Sequence, residues 1–233
     1  RRRHTRFRNV TGVQTCALPI YTNYSANTVN FYDLSGYEIT GVTVGTGPSN
    51  LVIDYNNSNT YVVNRDDNTV SIVDNFAYTV TQTVSADTFT TNLQNIAWDS
   101  INNFMFVCDE VSGNLTRIDT TGYTATTLST SQQYTGGIQF STYDGLLYVY
   151  NNLTTSLEYW DPVSGVLSGS TSLTGYGTPI NFVIDNTTNL LFIAAENNYI
   201  IQVDLNFKTV VTQFNIQGRS EEHTSELQSR FGI

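Results

Sequence analysis

LVIDYNNSNTYVVNRDDNTVSIVD, residues 51–74, holds three short apolar runs, LVI, YVV and VSIV, split by clusters of Asn, Asp and Ser. Each run has the length of a β-strand, and Asn, Asp and Ser favour turns because their short side chains bond the nearby backbone. The stretch therefore predicts three antiparallel strands, at 51–54, 60–64 and 69–74. A fourth follows at 78–85, where Tyr78, Val80, Gln82 and Val84 alternate with Thr79, Thr81 and Thr83, the pattern of an outer strand with one wet face. LVI and YVV do not alternate, which predicts burial on both faces. Pro48, Pro162 and Pro179 are expected in turns.

Variants of this unit recur down the chain. An Asp closes a strand at Asp33, Asp74, Asp119, Asp161 and Asp204, at intervals of 41, 45, 42 and 43 residues. An earlier strand of each unit closes at Asp54, Asp99, Ser141 and Asp185, and an aromatic stands in the next strand at Tyr61, Phe106, Tyr148 and Phe192. Three markers on one period define a structural repeat, and a four-stranded unit of this length is the signature of a β-propeller blade. One such sheet has two apolar faces and can hide neither alone; sheets stacked around an axis hide both. The expected fold is all-β: four-stranded antiparallel blades at 45–87, 88–131, 132–175 and 176–218, preceded by a partial blade at 21–44, forming an open arc. No stripe of helical period is present.

The same residues resemble the YVTN-type β-propeller repeat family. Gly47-Pro48, Tyr61-Val62-Val63-Asn64 and Asn68-Thr69-Val70-Ser71-Ile72-Val73-Asp74 follow its pattern, as does Tyr148-Val149-Tyr150-Asn151. Phe106-Val107-Cys108-Asp109 and Phe192-Ile193-Ala194-Ala195 keep only the aromatic and the aliphatic after it. Such propellers close with six to eight blades, so the resemblance implies that blades are missing and the chain is a fragment. The marks of WD repeats are absent: Trp98-Asp99 and Trp160-Asp161 fall elsewhere in the period.

Both ends have a different character. VTGVQTCALPI (10–20) and RSEEHTSELQS (219–229) resemble translations of opposite strands of a sequencing adapter, so 1–20 and 219–233 are expected to lie outside the fold. The chain carries 10 Lys and Arg against 20 Asp and Glu, a net charge of −10. Between the two ends only Arg65, Arg117 and Lys208 are basic, both histidines are gone, and Cys108 is the one cysteine. A nucleic-acid partner is excluded, because phosphate binding needs clustered cations. No apolar run approaches the roughly 20 residues of a spanning helix, so membrane insertion is not expected. Cys108, within FMFVCD, is expected to be a small buried core residue. Low Lys and abundant Asn, Thr and Tyr fit an extracellular or cell-surface setting, or the periplasm, and a signal peptide is not observable in a fragment.

Chemistry is sparse. Each strand-ending Asp precedes turn residues and is expected to hold its own turn rather than a substrate. The more informative charges are in the loops joining second and third strands: Arg65, Asp66, Asp67, Asp109, Glu110 and Glu196. In a meander these loops share a face with the connections between blades, which predicts an acidic rim around one mouth of the axis. The plain reading of these residues is solvated loop charge that keeps a very polar surface soluble; the functional reading is a rim that suits a cationic partner or, through hard oxygen ligands, Ca²⁺ or another divalent cation. No cofactor is expected otherwise. Without histidine no Ser-His-Asp or Cys-His arrangement can be assembled, and Gly45-Thr46-Gly47-Pro48 lacks the Lys and helix of a phosphate cradle. The expected function is a non-catalytic binding scaffold for a protein or carbohydrate, the sugar reading resting on exposed tyrosines such as Tyr24, Tyr37 and Tyr55. Two alternatives stand beside it. One is a lactonase-like hydrolase with an axial divalent metal, implied by the family resemblance; the other is a virion or surface structural protein.

Overall fold

A computed structural model describes residues 19–85, 93–109, 113–129 and 137–216. The first sheet has three strands, β1 (Ile20–Asn23), β2 (Thr28–Tyr32) and β3 (Glu38–Thr43). The second holds β4 (Pro48–Asp54), β5 (Asn59–Asn64), β6 (Thr69–Asp74) and β7 (Thr79–Val84). The third holds β8 (Leu93–Asp99), β9 (Phe104–Asp109), β10 (Leu115–Asp119) and β11 (Ala125–Ser129). The fourth holds β12 (Ile138–Phe140), β13 (Leu147–Asn151), β14 (Ser156–Trp160) and β15 (Leu167–Ser172), and the fifth β16 (Pro179–Asp185), β17 (Leu190–Ala195), β18 (Tyr199–Asp204) and β19 (Thr209–Asn215). Every sheet is an antiparallel meander in chain order. The first strands of successive four-stranded sheets touch, β4 on β8, β8 on β12 and β12 on β16, so the sheets fan about a shared centre as an open propeller.

Four apolar layers between sheets hold the fan together. Phe31 and Val29 meet Val62 and Val73; Tyr61, Val70 and Ile72 meet Ile96 and Met105. Phe106 and Cys108 meet Phe140 and Val149, and Tyr148 and Leu157 meet Ile184 and Ile193. The middle strands β5, β9 and β13 are buried on both faces because each sheet has a neighbour on each side. Cys108 is 1 % exposed, and burial pushes its thiol pKa up, as befits a core residue. The fifth sheet shows the converse. Leu191, Ile193, Ile201 and Val203 are buried against the fourth sheet, while Phe192 and Ile200, on the opposite face, are only half-buried.

Three sequence expectations need correction. Pro48 and Pro179 open strands β4 and β16 rather than lying in turns; a first-strand residue on a free edge owes no ladder hydrogen bond. Leu51, Val52 and Ile53 are half-buried, not buried on both faces, because β4 is an innermost strand facing the axial opening. The outer strand β7 is exposed at every position but Val84, and its alternation is broken by a β-bulge. Val73 pairs with Val80 but Ile72 with Gln82, leaving Thr81 over. Val80 and Val84 therefore point to opposite faces, and only Val84 joins the layer with Ile72. The same bulge recurs between β2 and β3, β14 and β15, and β18 and β19.

The two end segments lie outside the described residues, apart from Pro19 and Ile20. Those two extend the first sheet: Ile20 pairs with Phe31, and the Pro19 carbonyl accepts the Tyr32 N–H at 2.9 Å.

Candidate functional site

The strand-ending carboxylates are turn fasteners. Asp74 Oδ1 accepts the N–H groups of Phe76 and Ala77 at 2.7 and 2.8 Å, and Asp161 those of Val163 and Ser164 at 2.9 and 2.8 Å. Asp33, Asp119 and Asp204 bond their own turns in the same way. The buried Asp54 fastens Asn56 and Asn57 with one oxygen and takes the Tyr61 hydroxyl at 3.1 Å on the other. Asp99 accepts Ile101, Asn102 and the Asn102 side chain. These carboxylates are thereby engaged within their own turns.

The loop charges take three separate positions. Asp66 and Asp67 fold over the connection between the first two sheets. Thr46 N–H donates to Asp67 Oδ2 at 2.5 Å, Asp66 N–H donates to the Thr46 carbonyl at 3.1 Å, and Arg65 N–H donates to the Gly47 carbonyl at 2.9 Å. Asp66 also accepts the hydroxyl of Tyr24 from the neighbouring sheet at 2.7 Å, which raises the tyrosine's pKa. Gly47 has φ +67°, and a Cβ there would fall 2.6 Å from the Asp66 carboxylate, so glycine is needed on both counts. Glu196 is exposed after β17, its N–H on the Thr178 carbonyl at 2.9 Å. Asp109 is 1 % exposed at the end of β9, where its backbone closes the turn with Gly113 and Asn114. Glu110 lies outside the described residues. The loops of Asp66 and Glu196 bond connections between sheets, and among the described residues no three Asp, Glu, His or Cys side chains converge as metal ligands.

Among the described residues an axial cleft of about 590 Å³ runs along the innermost strands β4, β8, β12 and β16. Its polar side chains are the amides of Asn50, Asn95, Gln139 and Asn181, one from each strand, together with Asn56 and the hydroxyls of Tyr55 and Ser100. An innermost strand has one free edge, and its N–H groups need acceptors. Asn50 Oδ1 accepts the Leu51 N–H and Asn181 Oδ1 the Phe182 N–H, both at 2.8 Å. Gln139 Oε1 reaches across to the Ile184 N–H at 2.9 Å. Only oxygen can accept from a backbone N–H, so these bonds fix each amide's orientation. Asn50 Nδ2 reaches Asn95 Oδ1 at 3.4 Å. The amide nitrogens of Asn95, Gln139 and Asn181 have no acceptor among the described residues. In the fourth sheet Gly137 stands where the others have Asn, and a Cβ on it would lie 2.6 Å from Asn181 Oδ1; the glycine leaves room for its neighbour's amide.

The amides are not among the residues that sequence patterns single out. Their signal is an Asn four places before the strand-closing Asp, in SNLVID, QNIAWD and INFVID.

Fold and cleft define a β-propeller. No protein-family model matches the chain, and no curated protein matches it in sequence. Solved structures do. Hydrazine synthase of Kuenenia stuttgartiensis is similar at TM-score 0.63 and 21 % identity, over 76 % of this chain and 52 % of that one. A chain of the nidogen/laminin complex is similar at TM-score 0.65 and 15 % identity, over 84 % of this chain and 74 % of that one. The chain thus spans about half the length of the hydrazine synthase chain it matches, and at these identities the likeness is one of fold.

Proposed function

We propose that the protein is a non-catalytic binding scaffold, a segment of a YVTN-type propeller flanked by adapter-derived ends, secreted or displayed at a surface. The single observation behind it is the axial cleft. Its lining has side chains from four successive sheets and combines neutral amides with aliphatic and aromatic groups, the composition of a binding site. None of the lining residues is a carboxylate, lysine, histidine or cysteine, and the nearby Asp54 and Asp99 are committed to their turns. The acidic loops are a second contact surface for cations on this reading.

Hydrogen exchange with and without candidate ligands tests it: bound ligand is expected to protect 50–56 and 95–100 together. Stoichiometric metal removable by EDTA, together with lactone hydrolysis, would overturn the scaffold reading in favour of a hydrolase.

A further inference from the structure

We propose that the axial cleft takes a neutral carbohydrate; this rests on the binding-scaffold reading and names the ligand for it. Three observations select that class. The lining carries no formal charge, while the chain as a whole is at −10, so an anion meets repulsion at long range with nothing local to offset it. Calcium sites are built on carboxylates, and the cleft offers none. An extended peptide would bind by adding a strand to a free sheet edge. Here the edge N–H groups of Leu51 on β4 and of Phe182 and Ile184 on β16 are already taken by amide oxygens, which disfavours that mode on those two strands.

What remains is the complement of a sugar. The nitrogens of Asn95, Gln139 and Asn181 offer N–H donors from three successive innermost strands, able to serve several hydroxyl oxygens at once. The half-buried Val52, Ile53 and Trp98 supply apolar surface beside them for the C–H faces of a pyranose ring. Tyr55, 58 % exposed at the mouth, presents an aromatic plane for stacking. Gln139 and Asn181 therefore have two roles: their oxygens close strand edges and their nitrogens are left for the ligand.

The test is calorimetric titration and saturation-transfer NMR of the full chain with neutral di- and trisaccharides (cellobiose, maltotriose, chitobiose), a sialylated trisaccharide and a strand-forming peptide. Asn95→Leu is the informative variant, because Asn95 closes no strand edge and its loss leaves the fold intact. It is expected to weaken sugar binding at least tenfold, and Tyr55→Ala severalfold, whereas Phe207→Ala, in the exposed turn between β18 and β19, leaves it unchanged. Binding of none of the neutral sugars, or binding indifferent to both Asn95→Leu and Tyr55→Ala, overturns the proposal. If the peptide binds with that same sensitivity and the sugars do not, the sugar assignment fails while the scaffold reading stands. Metal-dependent lactone hydrolysis would instead remove the scaffold reading itself.

Discussion

Asn186 Oδ1, in the fifth sheet, accepts the N–H of Thr142 in the fourth at 2.9 Å, and that of Tyr143 at 3.3 Å. In the second and third sheets the corresponding turn is fastened from within, by Asp54 and Asp99. The fourth sheet has Ser141 at that position, so its turn is fastened by its neighbour. The displaced carboxylate reappears three residues later as Asp144, which takes the Tyr148 hydroxyl at 2.6 Å, as Asp54 takes that of Tyr61. Lys208 of the fifth sheet closes the same corner on Asp144 and Tyr148.

Asn186→Ala is accordingly expected to destabilise the protein by about 1–2 kcal/mol, through loss of two turn bonds and one contact between sheets. Asn186→Asp keeps the accepting oxygen and should cost less than half of that. Urea unfolding of the two variants measures both.

Neighbouring residues on β18 should respond oppositely to truncation. Ile201 is fully buried between the fourth and fifth sheets, and Ile201→Ala is expected to cost about 2–5 kcal/mol. Ile200 points to the outer face of the fifth sheet, and Ile200→Ala is expected to cost under about 1 kcal/mol. Equal losses in denaturant unfolding would contradict stacking as the source of stability.

The turn carboxylates make stability depend on pH in the acid range. The Thr187 and Thr188 hydroxyls hold Asp185 down to about 2 from its ordinary 3.8. The Ala77 and Phe76 N–H groups lower Asp74, and the Ser164 N–H lowers Asp161. A folded-state value below the unfolded one means that the stabilisation is complete above the ordinary value and is lost as pH falls through the folded one. Thermal midpoints should therefore fall between about pH 4 and pH 2, and Asp185→Asn should flatten part of that slope.

Thr155 closes its turn at φ +50°, a left-handed conformation that is unfavourable for a β-branched side chain. Thr155→Gly is expected to raise stability by about 1 kcal/mol, seen as a thermal midpoint higher by about 2–4 °C.

The left-handed positions of the Asp turns were half legible. Asp54, Asp74, Asp99, Asp185 and Asp204 are each followed four places later by a residue of positive φ: Ser58, Tyr78, Asn103, Asn189 and Lys208. The Asp and its period stand out in the chain; the left-handed partner stands out less, because Tyr78 and Lys208, unlike Ser58, Asn103 and Asn189, carry no turn signal. The bulge at Thr81 was likewise hidden. Perfect alternation of Val and Thr is what an unbroken strand would show, and only pairing with β6 reveals the extra residue. Among the candidate charges, Asp109 looked like its loop neighbours and proved buried, since a strand's last residue can turn either inward or out.

The amino-acid sequence alone determined the repeat, the four-stranded unit and the stacking of units, because apolar runs of strand length with two greasy faces have no other escape from water. Tertiary structure alone decided which polar residues meet. Asn50, Asn95, Gln139 and Asn181 lie about a blade apart in the chain, and only the shared axis brings their amides into one cleft. Their chemistry is local, but their convergence depends on the angle between sheets, which no single repeat encodes.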